Sequence, residues 1–141
     1  MIVSSVSFWI LLLFCFIEKN TILALPLIDA EGRWTIVESP QHPEFNGIIL
    51  QIKYKQQEDS YNVGARIINS FGCFVRFNPA TDEWKSSYCA GTEMYILDDK
   101  ERTKEDNLFK FIRNIQKIIR DDKIFRIITN NGERIDLIRV E

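Results

Sequence analysis

Alternation of apolar and polar residues in the first half of the chain constrains the fold more than any other feature. In Ile48–Lys55 every second side chain is apolar, and Tyr61–Ile67 repeats this pattern. A period of two places alternate side chains on opposite faces of a β-strand, so that one face is buried and the other meets solvent. Strands of this half-buried kind pair in antiparallel sheets with the polar face outward.

Shorter runs of similar composition extend this predicted sheet in both directions. Further strands are predicted at Arg33–Ser39, Cys73–Phe77, Glu83–Cys89, Thr92–Leu97, Lys123–Thr129 and Arg134–Val140. The last two flank the dipeptide Asn131-Gly132, which favours the positive φ angles of a tight hairpin turn. The chain therefore contains seven or eight predicted strands, several of them joined by short polar turns.

One segment has the period of a helix instead. Apolar residues recur at helical spacing, at Leu108, Ile112, Ile115 and Ile119. Thr103 precedes this run as a predicted N-cap, so the pattern predicts a helix over about 103–120. The predicted fold class is α+β and mainly β: an antiparallel, barrel-like sheet of seven or eight strands with this one helix covering it.

The amino-terminal residues are predicted to be a signal peptide rather than part of the fold. Val6–Ile17 carries no charge and is too short to span a bilayer, which needs roughly 20 apolar residues. It suits the apolar region of a secretory signal, with cleavage after Ala24. An uncleaved signal-anchor is the alternative. We therefore expect a signal peptide at 1–24, one domain at 25–141, and secretion to the exterior or to the secretory lumen.

Two cysteines, Cys73 and Cys89, would remain after cleavage. In an oxidising compartment they are predicted to form a disulfide. A reactive cysteine is the alternative, but its one available base is His42, in a proline-flanked loop where a histidine is expected to be solvated. These residues complete neither a zinc site nor a nucleophile motif, so we predict no enzyme, no metal and no cofactor. The net charge of −2 gives no general attraction to nucleic acid.

The predicted helix carries a basic stripe with an aromatic residue at its edge. The candidate partner surface consists of Phe109, Lys110, Arg113, Lys117 and Arg120. An exposed aromatic ring beside cations is typical of a docking surface, although a solvated outer helix face has the same pattern. Asp98–Glu101 is interpreted as a solvated connection into the helix. Most aromatic residues of the chain are predicted to be core, with the lining of an apolar cavity as the alternative.

Read in order, these elements resemble the META/HslJ-like family of small β-rich domains. The similarity begins with the strand "GRWTIVE", continues through Gly72-Cys73, and includes Thr92-Glu93-Met94 ahead of the helix. Its family-like residues are Trp34, Gly72, Thr92 and Met94, and Met94 is expected to pack inward from a strand. The resemblance implies no catalytic residues and a role in stress tolerance, virulence or host and cell interaction.

Two functions follow from these observations as hypotheses. The first is a secreted, non-enzymatic domain that binds another macromolecule through its surface. The second is a lipocalin-like extracellular carrier of a small apolar ligand, because "GRW" also resembles the G-x-W start of lipocalins. A carrier requires an open apolar cavity of about 300 Å³ or more inside the barrel, whereas a packed interior favours the first hypothesis.

Overall fold

The structure is a computed structural model of the chain and describes residues 30–96, 98–120 and 124–141. The predicted signal peptide, Leu97 and Lys123 lie outside the described residues. Within these ranges the strands are β1 Gly32–Glu38, β2 Ile49–Lys55, β3 Ser60–Arg66, β4 Ser70–Asn78, β5 Glu83–Gly91, β6 Ile115–Arg120, β7 Phe125–Thr129 and β8 Arg134–Arg139. The helices are a 3-10 turn, Pro43–Phe45, and the α-helix α1, Asp99–Arg113. None of the described helices is long and apolar enough to cross a membrane.

All eight described strands belong to one antiparallel sheet. Its order is β5-β4-β3-β2-β1-β8-β7-β6, so that β1 pairs with both β2 and β8. The two edge strands approach each other, and Gln116 Nε2 on β6 donates a hydrogen bond to Glu83 Oε1 on β5 at 3.2 Å. The sheet is therefore a nearly closed barrel, and the predicted fold class is confirmed.

The predicted alternation of faces is also confirmed. Leu50, Ile52, Val63 and Val75 are at most 1% exposed, while their neighbours in sequence point outward. Because side chains alternate across a strand, these residues all reach the interior of the barrel. The interior is filled by the aliphatic and aromatic side chains of both halves of the sheet.

The helix differs from its prediction at both ends. Asp98 is the N-cap: its side chain accepts hydrogen bonds from the backbone N–H groups of Lys100 (2.8 Å) and Glu101 (3.5 Å). The prediction of Thr103 as N-cap is therefore wrong, since Thr103 lies inside α1, and Asp98–Glu101 is a capping segment and first turn rather than a plain connection. A polar residue at the real cap satisfies N–H groups that otherwise lack partners.

The second half of the predicted helix is a strand. After Arg113 the chain turns at Asn114 and enters β6, which pairs with β7. Residues 115–119 fit a helical period, but the isoleucines among them also favour a pleated surface, and pairing with a neighbouring strand decides the outcome. Propensity is a weak predictor where tertiary pairing competes with it.

Helix α1 packs against the barrel through one apolar stripe. Leu108, Phe111 and Ile112 are at most 2% exposed. The Phe111 ring meets the ring of Phe45, from the 3-10 turn, edge to face at a centroid distance of 6.2 Å. The helix therefore contributes to the same core as the strands. This core does not include the outer face of the sheet.

The two cysteines face each other on β4 and β5 and lie at disulfide-bonding distance, with sulfur atoms 2.01 Å apart. This pairing agrees with the prediction. The segment that follows, Thr92–Ile96, is not the predicted strand. Met94 is 60% exposed, so the prediction that it packs inward is wrong, and Ile96 is buried instead. Apart from the Thr92 N–H, which donates to the Ser70 carbonyl at 2.9 Å, the segment has no strand pairing among the described residues, so no strand alternation is imposed on it.

The carboxy-terminal hairpin forms at the predicted position. Thr129 donates its N–H to the carbonyl of Glu133 (2.8 Å), and Gly132 donates to the carbonyl of Thr129 (3.1 Å). Gly132 has φ of +84°, whereas Asn131 does not take the positive φ expected of it. A three-residue loop that ends on a left-handed glycine accounts for this difference from a two-residue turn.

Candidate partner-binding groove on the outer face of the sheet

A groove lies on the solvent side of strands β1 to β5, with a volume of about 740 Å³. Strand pairing brings one row of side-chain positions together across its floor. In order, the directly paired residues are Arg33, Gln51, Gly64, Gly72 and Ala90. The side chains of the row are large on β1 and β2 and absent or small on β3 to β5, so the groove is deepest where the glycines meet. We call this surface the outer-face groove.

The glycines are required by the close approach of β3 and β4. A Cβ atom on Gly72 would lie 2.9 Å from the Val63 carbonyl oxygen and 3.0 Å from the Gly64 Cα atom. A Cβ atom on Gly64 would lie 3.0 Å from the Phe71 carbonyl oxygen. Glycine inside a strand often marks a place where another backbone or a ligand approaches closely. At these two positions the floor of the groove is backbone, with the Asn62 Oδ1 atom beside it.

The neighbouring cross-strand row forms an aromatic wall. It consists of Lys53, Asn62, Phe74 and Tyr88, each paired with the next. The rings of Phe74 and Tyr88 lie 6.2 Å apart at 30°, and Tyr88 is 64% exposed. Exposed tyrosine beside a second ring supplies apolar contact area at low entropic cost, as in protein interfaces.

The charged side chains that line the groove are all positive. Arg33, Lys53 and Arg66 line it, and all three side chains are exposed. No Asp or Glu belongs to its lining, and none of these cations forms an ion pair within the described ranges. The groove therefore presents three uncompensated positive charges although the whole chain has a net charge of −2.

Sequence reasoning missed this site because it depends on strand register. The alternation identifies outward positions, but it does not state which strands are neighbours or which residues face each other. One signal was present: Gly64 and Gly72 both interrupt predicted strands, where glycine is otherwise unfavourable.

The structure divides the partner surface that was predicted from sequence. Phe109, Lys110 and Arg113 lie on α1, whereas Lys117 and Arg120 lie on β6. The helical spacing that defined the stripe is therefore wrong beyond Arg113. Phe109 is half-buried against Phe71 (ring centroids 5.3 Å), and the Arg113 guanidinium lies 4.6 Å from the Phe109 ring centroid.

The family-like residues have four different environments. Trp34 is buried and packs on Phe125 at a centroid distance of 4.9 Å. Gly72 belongs to the groove floor, and Met94 is exposed. Thr92 Oγ1 accepts the N–H of Ser70 at 3.0 Å and so holds the end of β5 against β4. Three of the four therefore have roles in packing or backbone geometry.

His42 is half-buried rather than solvated as predicted. Its ring stacks on Phe45 (4.7 Å), with Nδ1 3.2 Å from Glu44 Oε1 and Nε2 3.3 Å from Glu133 Oε2. No group of three or more potential metal ligands occurs in the part of the chain that the structure describes. The histidine joins the 3-10 turn to the β7–β8 hairpin.

No family model and no curated protein matches the chain. Among solved structures, it is similar to the NMR structure of a protein from Burkholderia xenovorans, with a TM-score of 0.48 and 12% identity over 77% of this chain and 78% of that chain. A likeness at this level carries no argument about function. The META/HslJ-like and lipocalin-like resemblances stay predictions.

Proposed function

We propose that the chain is a secreted, non-enzymatic domain that binds an acidic segment of another protein in the outer-face groove. The observation that carries this proposal is the charge of the groove: three exposed cations line it and no carboxylate does. Complementary charge steers association and fixes the register of a partner more than it adds affinity.

The floor and wall of the groove favour a polypeptide as the partner. Gly64 and Gly72 are half-buried and have no side chain, so an extended chain can approach their backbone closely. The side-chain amides of Gln51 and Asn62 stand beside that floor and carry donors and acceptors for a peptide main chain. The aromatic pair, Phe74 and Tyr88, offers apolar contact to partner side chains.

The packed interior argues for this proposal over the lipocalin-like alternative. A carrier holds its ligand inside the barrel, but here the interior is occupied by fully buried side chains such as Phe125, Ile127 and Leu137. The groove lies outside the barrel and is open to macromolecules. The volume available for binding is therefore on the outer surface.

Two parts of the proposal have separate support. Secretion is supported by the predicted signal peptide and by the cysteine pair at bonding distance. The role in stress tolerance, virulence or host and cell interaction depends on the META/HslJ-like resemblance of the sequence alone.

The test is binding of a labelled twelve-residue peptide of alternating Glu and Tyr, measured by fluorescence anisotropy, against a peptide with Lys in place of Glu. We expect saturable binding of the acidic peptide that weakens as salt rises, because exposed charge pairs are screened. The variant Arg33→Gln/Lys53→Gln/Arg66→Gln should bind about tenfold more weakly, at several tenths of a kcal/mol for each exposed pair.

The matched control removes three charges from the surface predicted from sequence, as Lys110→Gln/Arg113→Gln/Lys117→Gln. Retained binding by this control, with loss in the groove variant, supports the proposal. The reverse result assigns binding to the helix and β6 surface and overturns it. Equal binding of both peptides, tighter binding of a single-stranded nucleic acid or a sulfated glycan, or a lipid that copurifies in native mass spectrometry would also overturn it.

A further inference from the structure

A second cavity lies beside α1, between the helix and the segment Thr92–Ile96, with a volume of about 470 Å³. Its lining shares only Phe71 and Ala90 with the outer-face groove. Small-molecule sites typically occupy about 300–1,000 Å³ and combine apolar walls with a few polar groups. We call this space the helix-side cavity.

The polar group that distinguishes this cavity is Glu105. The residue is 6% exposed, and its Oε1 accepts the backbone N–H of Asn69 at 3.1 Å. Its Oε2 is buried and has no hydrogen-bond partner in the described part of the chain. An unsatisfied buried carboxylate oxygen is costly, so a donor that reached it would be stabilising.

The nearby cations do not supply that donor. Arg102 bonds to Asp99 Oδ1 at 2.8 Å and to the Ile96 carbonyl oxygen at 3.3 Å. Arg113 lies over the ring of Phe109. Both guanidinium groups line the cavity, yet neither forms an ion pair with Glu105 among the described residues. The second carboxylate oxygen therefore has no protein donor among the described residues.

The segment Thr92–Ile96 supplies apolar side chains to the same cavity. Met94 and Tyr95 are 60% and 83% exposed at the cavity mouth. The Asn69 side chain fixes this segment, because its Oδ1 accepts the Met94 N–H at 2.6 Å and its Nδ2 donates to the Met94 carbonyl at 3.4 Å. Beyond the Thr92 N–H, which donates to the Ser70 carbonyl at 2.9 Å, the segment is held by side-chain bonds. It can therefore shift without breaking the sheet and give a ligand access to the buried oxygen.

We propose that the helix-side cavity binds a small organic amine, with its ammonium group donating to Glu105 Oε2 and its apolar body between Phe71, Phe109 and Met94. A primary ammonium supplies both the donor and the opposite charge that the carboxylate lacks. The rings of Phe71 and Phe109, 5.3 Å apart, form the apolar wall. This inference does not depend on the proposed function of the groove.

The probe is 2-phenylethylamine, titrated into the ¹⁵N-labelled protein and followed by amide chemical shifts. We expect saturable shifts at Asn69 and Met94, and at least tenfold weaker binding of 2-phenylethanol, which has the same size without the charge. Absence of saturable shifts, or equal binding of amine and alcohol, would overturn the inference on the wild-type protein alone.

The matched variants are Glu105→Gln and Asp106→Asn. The glutamine side chain of the first variant has nearly the same shape as glutamate and retains an acceptor for Asn69, whereas Asp106 is an exposed acid that lines the same cavity. We expect Glu105→Gln to weaken amine binding at least tenfold and Asp106→Asn less than threefold. Equal losses in the two variants would show a general charge effect and contradict a specific site. If Glu105→Gln does not fold, the comparison of amine with alcohol decides the question.

Discussion

The outer face of the sheet carries arginine in two opposite situations. On β7 and β8, Arg126 lies directly across from Asp136. Its Nε and Nη2 atoms donate to the two carboxylate oxygens at 2.7 and 3.0 Å, and Asp136 is only 2% exposed. The residues on either side of Asp136, Ile135 and Leu137, point into the barrel. In this half of the outer face, the arginine is therefore paired with an acidic residue of the same sheet.

The outer face of β1 to β5 has cations at similar positions without acids across from them. Arg33 is paired with Gln51, Lys53 with Asn62, and Arg66 with Ser70. Uncharged polar neighbours leave each of these cations exposed. The same strand geometry therefore produces an internal ion pair in one half and an open binding surface in the other.

This difference shows which half of the outer face stabilises the fold. A bidentate pair with a buried carboxylate is ordered and shielded, so it contributes to stability. Exposed cations without partners contribute almost nothing to folding and are available for binding. The cysteine pair, Cys73 and Cys89, supports the same half of the sheet from the interior.

The largest effect on stability is expected for Cys73→Ala/Cys89→Ala. The disulfide spans 16 residues and joins β4 to β5 beneath the groove. In the chain-entropy model a loop of this length contributes about 3 kcal/mol. Urea denaturation should show this loss in free energy of unfolding, with the groove peptide still bound by the folded fraction.

The control is the wild-type protein unfolded in a reducing buffer, which should lose a similar amount. An unchanged unfolding midpoint in both samples would mean that the β4–β5 pairing does not depend on the bond. Loss of peptide binding from fully folded variant protein would show instead that the cysteines shape the groove directly.

The sequence was informative where a local pattern determines the structure. Alternation identified the strands and the inward residues Leu50, Val63 and Val75, because burial on one face imposes a period of two. It failed at Ile115–Arg120, whose residues fit two periods, and pairing with β7 decided between them. Patterns within a short stretch of sequence do not predict the long-range pairing of β6 with β7.

Both candidate sites depend on long-range geometry of the same kind. The groove requires Gly64 and Gly72 to be paired across β3 and β4. The helix-side cavity requires Glu105 to meet Asn69, 36 residues earlier in the chain. Register and helix docking create these neighbours, and neither has a signature within a short stretch of sequence.

A smaller effect is expected for Asp136→Asn, about 1–2 kcal/mol at pH 7, because Arg126 then loses a charged acceptor. The hydrogen bond from Arg126 lowers the pKa of Asp136 below its ordinary value, against the opposing effect of burial, and the charges of Arg126 and Arg134 lower it further. The unfolded state therefore binds a proton at higher pH than the folded state does. The stabilisation is complete above the unfolded pKa of about 3.9 and disappears as pH falls through the folded value.

Urea denaturation at pH 7 and at steps below pH 5 measures this dependence. The difference between wild type and Asp136→Asn should be constant near neutrality and should shrink below about pH 4. A difference that is independent of pH would mean that the variant acts through packing rather than through the charge of the carboxylate.

The smallest effect is expected for Arg66→Gln, and Arg126→Gln is its matched comparison. Each variant removes one guanidinium group from the outer face, but Arg66 faces Ser70 whereas Arg126 binds the buried carboxylate of Asp136. Arg66→Gln should change the free energy of unfolding by less than about 0.5 kcal/mol, as is usual for exposed positions. Arg126→Gln should lower the free energy of unfolding by more, because it leaves a buried charge without its partner.

Urea denaturation of the two variants in the same buffer measures this difference in stability. Fluorescence anisotropy with the acidic peptide should rank the two variants in the opposite order. Equal costs to stability would contradict the division of the outer face, since they would mean that Arg66 has a stabilising partner or that the Asp136 pair contributes nothing.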